Sequence, residues 1–369
     1  MFGDDAPPPD ALELRVIRSP HAHAGFVLGD VAGWRRAQAQ AMAAAHHARG
    51  GPLRRGAGVA AGWYGCGNTS LPNPSTIRAG ITAQGAIVLH QGAVDIGQGS
   101  STAIPQIFAR ALGVTVGDPT LIGADTDLTP DAGKSSASRQ TFVTGNAARA
   151  TGLALRAQVL RLVNAGDGAT IAPAPGRLIV IEGAGRHVID LAAMPPDAQG
   201  YVLGATETCD PPTRVLDADC QGHPYAQYGY AAQMAVVEVD SELGTVRVVA
   251  ITAAHDVGRA INPMLVEGRV QGGVAQGLGM ALMEEYLPGR TENLHDDLIA
   301  TIGDVPPVDT IIIEVPDPHG PHGAKGLGEH APIPTAPAIL NAIRAACGAR
   351  LTALPATPTR VLQALGRIA

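Results

Sequence analysis

Three stretches of this chain gather glycine, small hydroxyl side chains and isolated charges more densely than packing demands. The first is Asp95-Ile96-Gly97-Gln98-Gly99-Ser100-Ser101-Thr102. Gly97 and Gly99 permit positive φ. The amides of a helix start, joined by the Ser100, Ser101 and Thr102 hydroxyls, can hold an anion such as a phosphate. Gln98 is presented between two glycines with both an amide donor and an acceptor. An ordinary strand-to-helix turn with a Ser/Thr N-cap fits the same residues, and neither the Walker pattern nor G-x-G-x-x-G matches.

The second stretch runs from Asp125-Thr126 through Thr129-Pro130-Asp131-Ala132-Gly133-Lys134-Ser135-Ser136-Ala137-Ser138-Arg139. A small-residue loop again leads into a helix. Lys134 and Arg139 put positive charge near its start, which suits a second phosphate contact or, equally, a capped helix with solvated basic side chains. The third is Gly323-Ala324-Lys325-Gly326-Leu327-Gly328-Glu329-His330, followed by Ala331-Pro332-Ile333-Pro334. A carboxylate in so small and apolar a setting would be desolvated, its pKa raised, and could serve as a general base. The plainer alternative is a surface turn with a solvated Glu329. His21-Ala22-His23 and His46-His47 have no carboxylate or cysteine at ligand spacing, so no metal site is expected. Asp256-Val257-Gly258 reads as a turn carboxylate.

These stretches must be carried by regular elements. Alternation predicts a strand at 11–17 and a surface helix or linker at 31–50. Strands with turns at Asn73-Pro74 and Gln84-Gly85 are expected over 57–95. A helix over 100–112 is capped by Gly113, and a second helix covers about 140–164. Residues 231–240 and 245–257 form a hairpin about Ser241–Gly244. Asn262-Pro263 opens a long helix to about Glu285, through Gly272, Gly273, Gly277 and Gly279. Each interior glycine costs about 1 kcal/mol relative to Ala, so close approach of a backbone or ligand is implied. Two short helices, 334–346 and 358–365, end the chain. The expected division is 1–50 strand segment and linker, 51–165 first domain, 166–222 Pro/Gly-rich connection, and 223–369 second domain.

Length and composition bound the function. The 369 residues exceed one ordinary core, and 46% hydrophobic residues are enough to bury several. A net charge of −7 and 3% aromatics argue against a nucleic-acid partner. No apolar run reaches the length of a membrane span, and Met1 to Pro9 lacks the features of a secretory signal. The four dispersed cysteines form no iron–sulfur, zinc or disulfide pattern, so a cytoplasmic protein is expected.

Taken in order, VDIGQGSSTAIPQIFARALGV, DTDLTPDAGKSSASRQTFVTGNAARA, AHDVGRAINPMLVEGRVQGGVAQGLGMALMEEY and GAKGLGEHAPIPTAPAILNAI, with the final LPATPTRVLQAL, are collinear motifs. Together they resemble the molybdopterin-binding subunit of the xanthine dehydrogenase/aldehyde oxidase family across about 52–369, and ALELRVIRSPHAHA resembles the family's opening strand. The resemblance implies an α+β fold of mixed sheets with packed helices. It also implies a molybdenum hydroxylase that oxidises a C–H bond of a purine, N-heteroaromatic or aldehyde with water as oxygen source. Glu329 matches the family's catalytic base. Gln98 and Gln276 match the two Gln-Gly sites that hold the pterin. Gly97, Gly99, Ser135, Ser136, Ser138, Arg139, Lys325 and Gly326 fall in the cofactor-lining loops. The cofactor implied is molybdenum-molybdopterin, in bacterial members with a cytosine dinucleotide. No side chain coordinates the metal.

Three departures from the family matter. Shortly after Asp30 the chain passes directly to Arg54-Arg55-Gly56, without the family's Gly-Gly-x-Phe-Gly loop. Residues 31–50 have no counterpart. The iron–sulfur and FAD parts would lie on partner subunits. The apolar faces around Gly272, Gly273, Gly277 and Gly326 are expected to lie open for a further polypeptide that supplies the missing part. A non-catalytic scaffold of the same fold is the alternative. The WYGCGNTSLPNPST stretch (63–76) looks most like members acting on nitrogen heteroaromatics.

Overall fold

The structure is a computed structural model that describes residues 50–67 and 72–369. The expected strand at 11–17, most of the 31–50 segment, the paired histidines and part of the 63–76 stretch lie outside the described residues. The chain divides into two compact units. Among the described residues, one holds 50–64, 228–315 and 327–369, and the other holds 65–67, 72–227 and 316–326.

The first unit is a four-stranded sheet ordered β1-β9-β10-β11, with β1 Leu53–Cys66, β9 Gln227–Asp240, β10 Val246–Asp256 and β11 Val308–Ile313. Strands β9 and β10 form the expected antiparallel hairpin, and β11 joins β10 in parallel. Three helices complete the unit: α3 Pro263–Leu282, between β10 and β11 in the chain, and α4 Thr335–Cys347 and α5 Pro358–Ala364 after β11. Helix α3 starts where Asn262-Pro263 predicts. The Asn262 side chain accepts from the Leu265 amide at 3.2 Å, and Pro263 fits the first turn. The core joins Ala235, Val237 and Val239 of β9, Val248 and Ile251 of β10, Val270, Val274 and Leu278 of α3, and Ile339 and Ile343 of α4.

Small residues set the strand-to-helix spacing in this unit. A Cβ on Gly58 of β1 would lie 2.1 Å from the Ala342 backbone nitrogen. Strand and helix therefore meet backbone to backbone, which only glycine allows.

The second unit is built on a sheet ordered β4-β3-β2-β8: β2 Ser75–Thr82, β3 Ile87–Gln91, β4 Pro119–Gly123 and β8 Tyr201–Cys209. Helix α1 (Ser100–Leu112) crosses from β3 to its parallel neighbour β4, and α2 (Gly145–Val163) packs beside it. Ile77 and Ile81, Leu89, Ile104, Phe108 and Leu155 are fully buried. Gly113 ends α1 at φ 87°, its amide donating to the Ala109 carbonyl, as its place after an apolar helix predicts. Helix α2 begins later than expected, because Gln140–Thr144 is a π-turn.

One expectation needs correction. Residues 166–222 are not a connection. They carry β5 Thr170–Ala174, β6 Arg177–Glu182 and β7 Gly185–Asp190 as a three-stranded antiparallel sheet, and β8 pairs along β2. These strands are short and broken by Gly-rich turns, so turn composition outweighed a weak alternation. Among the described residues no helix is long and apolar enough to cross a membrane.

The two kinds of glycine predict opposite effects. Gly58→Ala should destabilise by about 1–3 kcal/mol, because the added methyl meets backbone that cannot yield. Gly272→Ala on α3, where no described atom lies within 4 Å of the added Cβ, should stabilise by about 1 kcal/mol. Urea unfolding of both variants checks the pair, and equal effects would contradict the packing.

Candidate functional site

The expected site residues fall in both units, and each set is described within its own unit. In the second unit, Gly97 (φ 99°) and Gly99 (φ 86°) take the left-handed backbone that their type permits. The helix start, however, already holds an anion. The Asp95 carboxylate accepts from the amides of Gly97 at 2.9 Å, Gly99 at 3.1 Å and Ser101 at 2.9 Å. Partial burial would raise its pKa, but these backbone donors outweigh it and hold the carboxyl below its usual range. These amides, which suit either an anion or an ordinary capped turn, are engaged by the chain's own Asp95 carboxylate.

Gln98 is also turned inward. Its Oε1 accepts from the Ile96 amide at 2.6 Å, and its Nε2 donates to the Val94 carbonyl at 2.9 Å and to Ser100 Oγ at 3.1 Å. Ser135 Oγ donates to the same Val94 carbonyl at 2.9 Å. The structure thus ties the first two small-residue stretches together through one backbone oxygen.

Arg139 is the clearest correction. Its place near a helix start suits a phosphate contact or, equally, a solvated cation, yet it has no exposed surface. Its Nη1 donates to the carbonyls of Ala132 and, at 3.1 Å, Lys134; its Nη2 donates to those of Asn73 at 2.9 Å and Pro74 at 3.0 Å. Burial lowers its pKa, and Asp131 and Asp210 oppose that. A guanidinium that donates to four carbonyls fastens the loops that carry them. Beside it, Gln140 Nε2 donates to the Lys134 carbonyl at 2.8 Å. Gln140 Oε1 accepts from Thr144, whose hydroxyl lies 2.6 Å from that of Ser75.

The loop these groups hold is strained. Ala137 and Ser138 both take positive φ, at 54° and 53°, at a cost of roughly 1 kcal/mol or more each. Gly326 packs directly on them: a Cβ there would sit 1.9 Å from the Ser138 carbonyl oxygen. Its amide donates to Gln227 Oε1 at 3.1 Å, and Gln227 Nε2 donates to the Ala324 carbonyl at 3.1 Å. Lys325 is buried, Ser135 and Ser138 are half-buried, and Ser136 is exposed. Nothing in the sequence singled out Gln227, a glutamine opening a strand.

In the first unit, Gln276 lies on the exposed side of α3, with Met264, Gly268, Gly272 and Met280 at four-residue spacing. Gly273 and Gly277 are not open. Added Cβ atoms would meet Ala331 Cβ and Thr335 Cβ, each at 2.5 Å. The expectation of an open face therefore holds for Gly272 but fails for Gly273, Gly277 and Gly326, which their own units cover.

Glu329 is exposed, where a desolvated carboxylate was expected. Its neighbours are held firmly. The Gly328 carbonyl accepts from Arg269 Nη2 at 3.4 Å and the Ala331 carbonyl from Gln233 Nε2 at 2.7 Å. Thr335 Oγ1 donates to Gln233 Oε1 at 2.7 Å. His330 is buried, its Nδ1 lying 3.3 Å from His255 Nδ1. Gln233 and His255 belong to none of the small-residue stretches. The available signal was a lone polar residue within each apolar strand, YAAQMAVV and ITAAHDV. Asp256 accepts from the Gly258 amide at 3.0 Å, the turn role expected of it.

His255 gives a pH-dependent prediction. Burial, then the neighbouring His330, push its imidazole well below its ordinary 6.5. Above that value folded and unfolded chains are both neutral here. Below it the unfolded chain takes up a proton that the folded chain refuses. Stability should then fall as pH drops from 6.5 toward the folded value, by up to about 1.4 kcal/mol per pH unit. His255→Leu should flatten the slope of unfolding free energy between pH 7 and 5 by about one proton, and an unchanged slope would contradict the assignment.

Comparison with known proteins agrees with this architecture. The family model for the molybdopterin cofactor-binding domain matches residues 29–306. A xanthine dehydrogenase molybdenum-binding subunit of Escherichia coli is 31% identical over 333 residues, covering 85% of this chain and 42% of that protein. An aldehyde oxidoreductase of Megalodesulfovibrio gigas is 32% identical over 322 residues, covering 85% of this chain and 32% of the relative. The crystal structure of the aldehyde oxidoreductase from Desulfovibrio desulfuricans superposes with a TM-score of 0.77 at 28% identity, over 93% of this chain and 35% of that one. The chain thus spans less than half the length of these relatives. With three quarters of its length matched by the family model and its α+β architecture shared, the chain belongs to the molybdopterin cofactor-binding domain family of the xanthine dehydrogenase and aldehyde oxidoreductase molybdenum subunits.

Proposed function

We propose that this chain is the molybdopterin-binding part of a molybdenum hydroxylase that oxidises a C–H bond of a nitrogen heteroaromatic substrate, with Glu329 as the general base. The observation that carries the reading is the turn at 328–335. Its backbone is fastened on both sides of Glu329 while the carboxylate itself is exposed. A base that must meet substrate needs both properties.

The residues present suit a bound pterin in part. No described atom lies within 4 Å of a Cβ added at Gly97 or Gly272, so each leaves room for a ligand to approach backbone. The resemblance assigns contacts with the group to Gly97, Gln98, Gly99, Ser135, Ser136 and Ser138 in the second unit and, separately, to Gln276 in the first, bacterial members adding a cytosine dinucleotide. Gln98 would have to exchange its internal hydrogen bonds for ligand contacts. Lys325, Gly326 and Arg139 would act through loop shape. When bound, the cofactor supplies the two-electron oxidation.

The protein's own part is to bind and orient substrate, exclude water and take up a proton on a Glu329 carboxylate oxygen. The exposed Glu329 calls for a covering partner that supplies the desolvation. A polypeptide carrying the region missing after Asp30 fits that need, with iron–sulfur and FAD subunits to receive electrons in the cytoplasm. The heteroaromatic preference rests on the 63–76 resemblance. Turnover of benzaldehyde but not of xanthine, hypoxanthine, nicotinate or isoquinoline would overturn it.

A second reading, a scaffold of this fold that holds no cofactor, is favoured by Asp95 occupying the helix-start amides and by the burial of Arg139. Metal and pterin analysis of the chain co-purified with its partners separates the two. A soluble complex without molybdenum would support the scaffold. In a loaded complex, Glu329→Gln should lower kcat by about 10²–10⁴-fold with cofactor content unchanged. Near-normal turnover would remove Glu329 from the base role.

A further inference from the structure

A directional hydrogen-bond chain lies buried beneath Glu329. Gln233, His255 and His330 have almost no exposed surface. The orientation of the Gln233 amide is set by its partners. The Ala331 carbonyl can only accept, so the group 2.7 Å from it is Nε2, and Oε1 faces the Thr335 hydroxyl at 2.7 Å. The same Nε2 lies 3.3 Å from His255 Nε2. An amide nitrogen only donates, so His255 Nε2 must be the unprotonated acceptor and His255 carries its proton on Nδ1. That proton points to His330 Nδ1, 3.3 Å away, which must accept. A neutral His330 therefore keeps its proton on Nε2, the nitrogen packed over Gly229, where a Cβ would approach to 2.5 Å.

The order of donation is Gln233 to His255 to His330. Its last member adjoins Glu329 in the chain, and its first member also holds the Ala331 carbonyl. The two imidazoles stand with ring centroids 5.4 Å apart. Gly229 gives His330 its room, and β9 and β10 supply the two inner groups. This arrangement constrains the residues immediately after Glu329, while Arg269 constrains the carbonyl immediately before it.

We infer that Gln233, His255 and His330 form a positioning relay that locks the Glu329 turn, with His255 as its obligatory Nδ1–H tautomer. The inference rests on the reading of Glu329 as the base for its catalytic consequence, but not for its tautomer. Groups that orient metal ligands from behind affect activity by about 10–100-fold, and a displacement of about 1 Å at a reacting group can cost about 10²-fold.

Two measurements test it. The first needs no activity. In the full chain labelled with ¹⁵N-histidine and assigned with His255→Leu, His255 should show an Nδ1–H, Nε2-unprotonated pattern at pH 7. An Nε2–H tautomer or a charged ring would overturn the relay. The second uses the assembled complex and the fastest-turning member of a xanthine, nicotinate, isoquinoline and benzaldehyde panel. His255→Leu should lower kcat by 10–100-fold with KM within about twofold and unchanged molybdenum. His255→Gln, which can accept from Gln233 and donate to His330, should recover most of the loss. If His255→Leu does not fold, Gln233→Met replaces it with the same expectation. Wild-type kcat in either replacement, while Glu329→Gln is inactive, would overturn the relay and leave the base assignment standing. Full activity in Glu329→Gln would instead overturn the base assignment, leaving the tautomer to be judged by the spectrum.

Discussion

The buried guanidinium of Arg139 is the interaction on which the second unit's loops depend. A charge without water must find its hydration shell in the protein, and here four carbonyls from two separate segments accept from its two terminal nitrogens, leaving only the buried Nε without a partner. Those segments, around Asn73-Pro74 and Ala132–Lys134, are thereby fixed relative to the π-turn that opens α2. Ala137 and Ser138, immediately before Arg139, both take positive φ.

The first unit uses the same device with neutral groups. Gln233 and His255 sit among valines and alanines of a sheet core, where an unmatched polar atom would cost a few kcal/mol. Each is matched, and the match extends to the residues that follow Glu329, while Arg269 holds the carbonyl before it. Both units thus use buried polar side chains to hold exposed loops in one shape, so a site can be preorganised on segments that lack regular structure.

Very few aromatic residues are available, 3% of the chain, so density comes from backbone contact. Gly58 on α4, Gly273 against Ala331 and Gly326 against Ser138 all replace side-chain packing by direct approach of main chains. Such contacts transmit position with little slack, because backbone does not change rotamer. They also answer why α3 tolerates so many glycines. Two of them seat the turn that bears Glu329, and Gly268 and Gly272 lie on the exposed face, where no described atom meets an added Cβ.

What the sequence determined by itself was local. The hairpin 231–257, the capped start of α3 at Asn262 and the end of α1 at Gly113 follow from periodicity and caps that act within a few residues. Collinear motifs also carried the family and singled out Glu329, Gln98 and Gln276. The tertiary structure decided which polar groups satisfy one another. Asp95 looks like a loop acid until its distance to three amides is known, and Arg139 looks like a solvated cation until its carbonyls are seen. The partnership of His255 with His330 spans 75 residues. The strands of 170–209 were hidden because their pairing partners, not their own alternation, stabilise them. Satisfaction of a buried polar atom is a property of whatever the fold brings beside it, and no spacing along the chain encodes that distance.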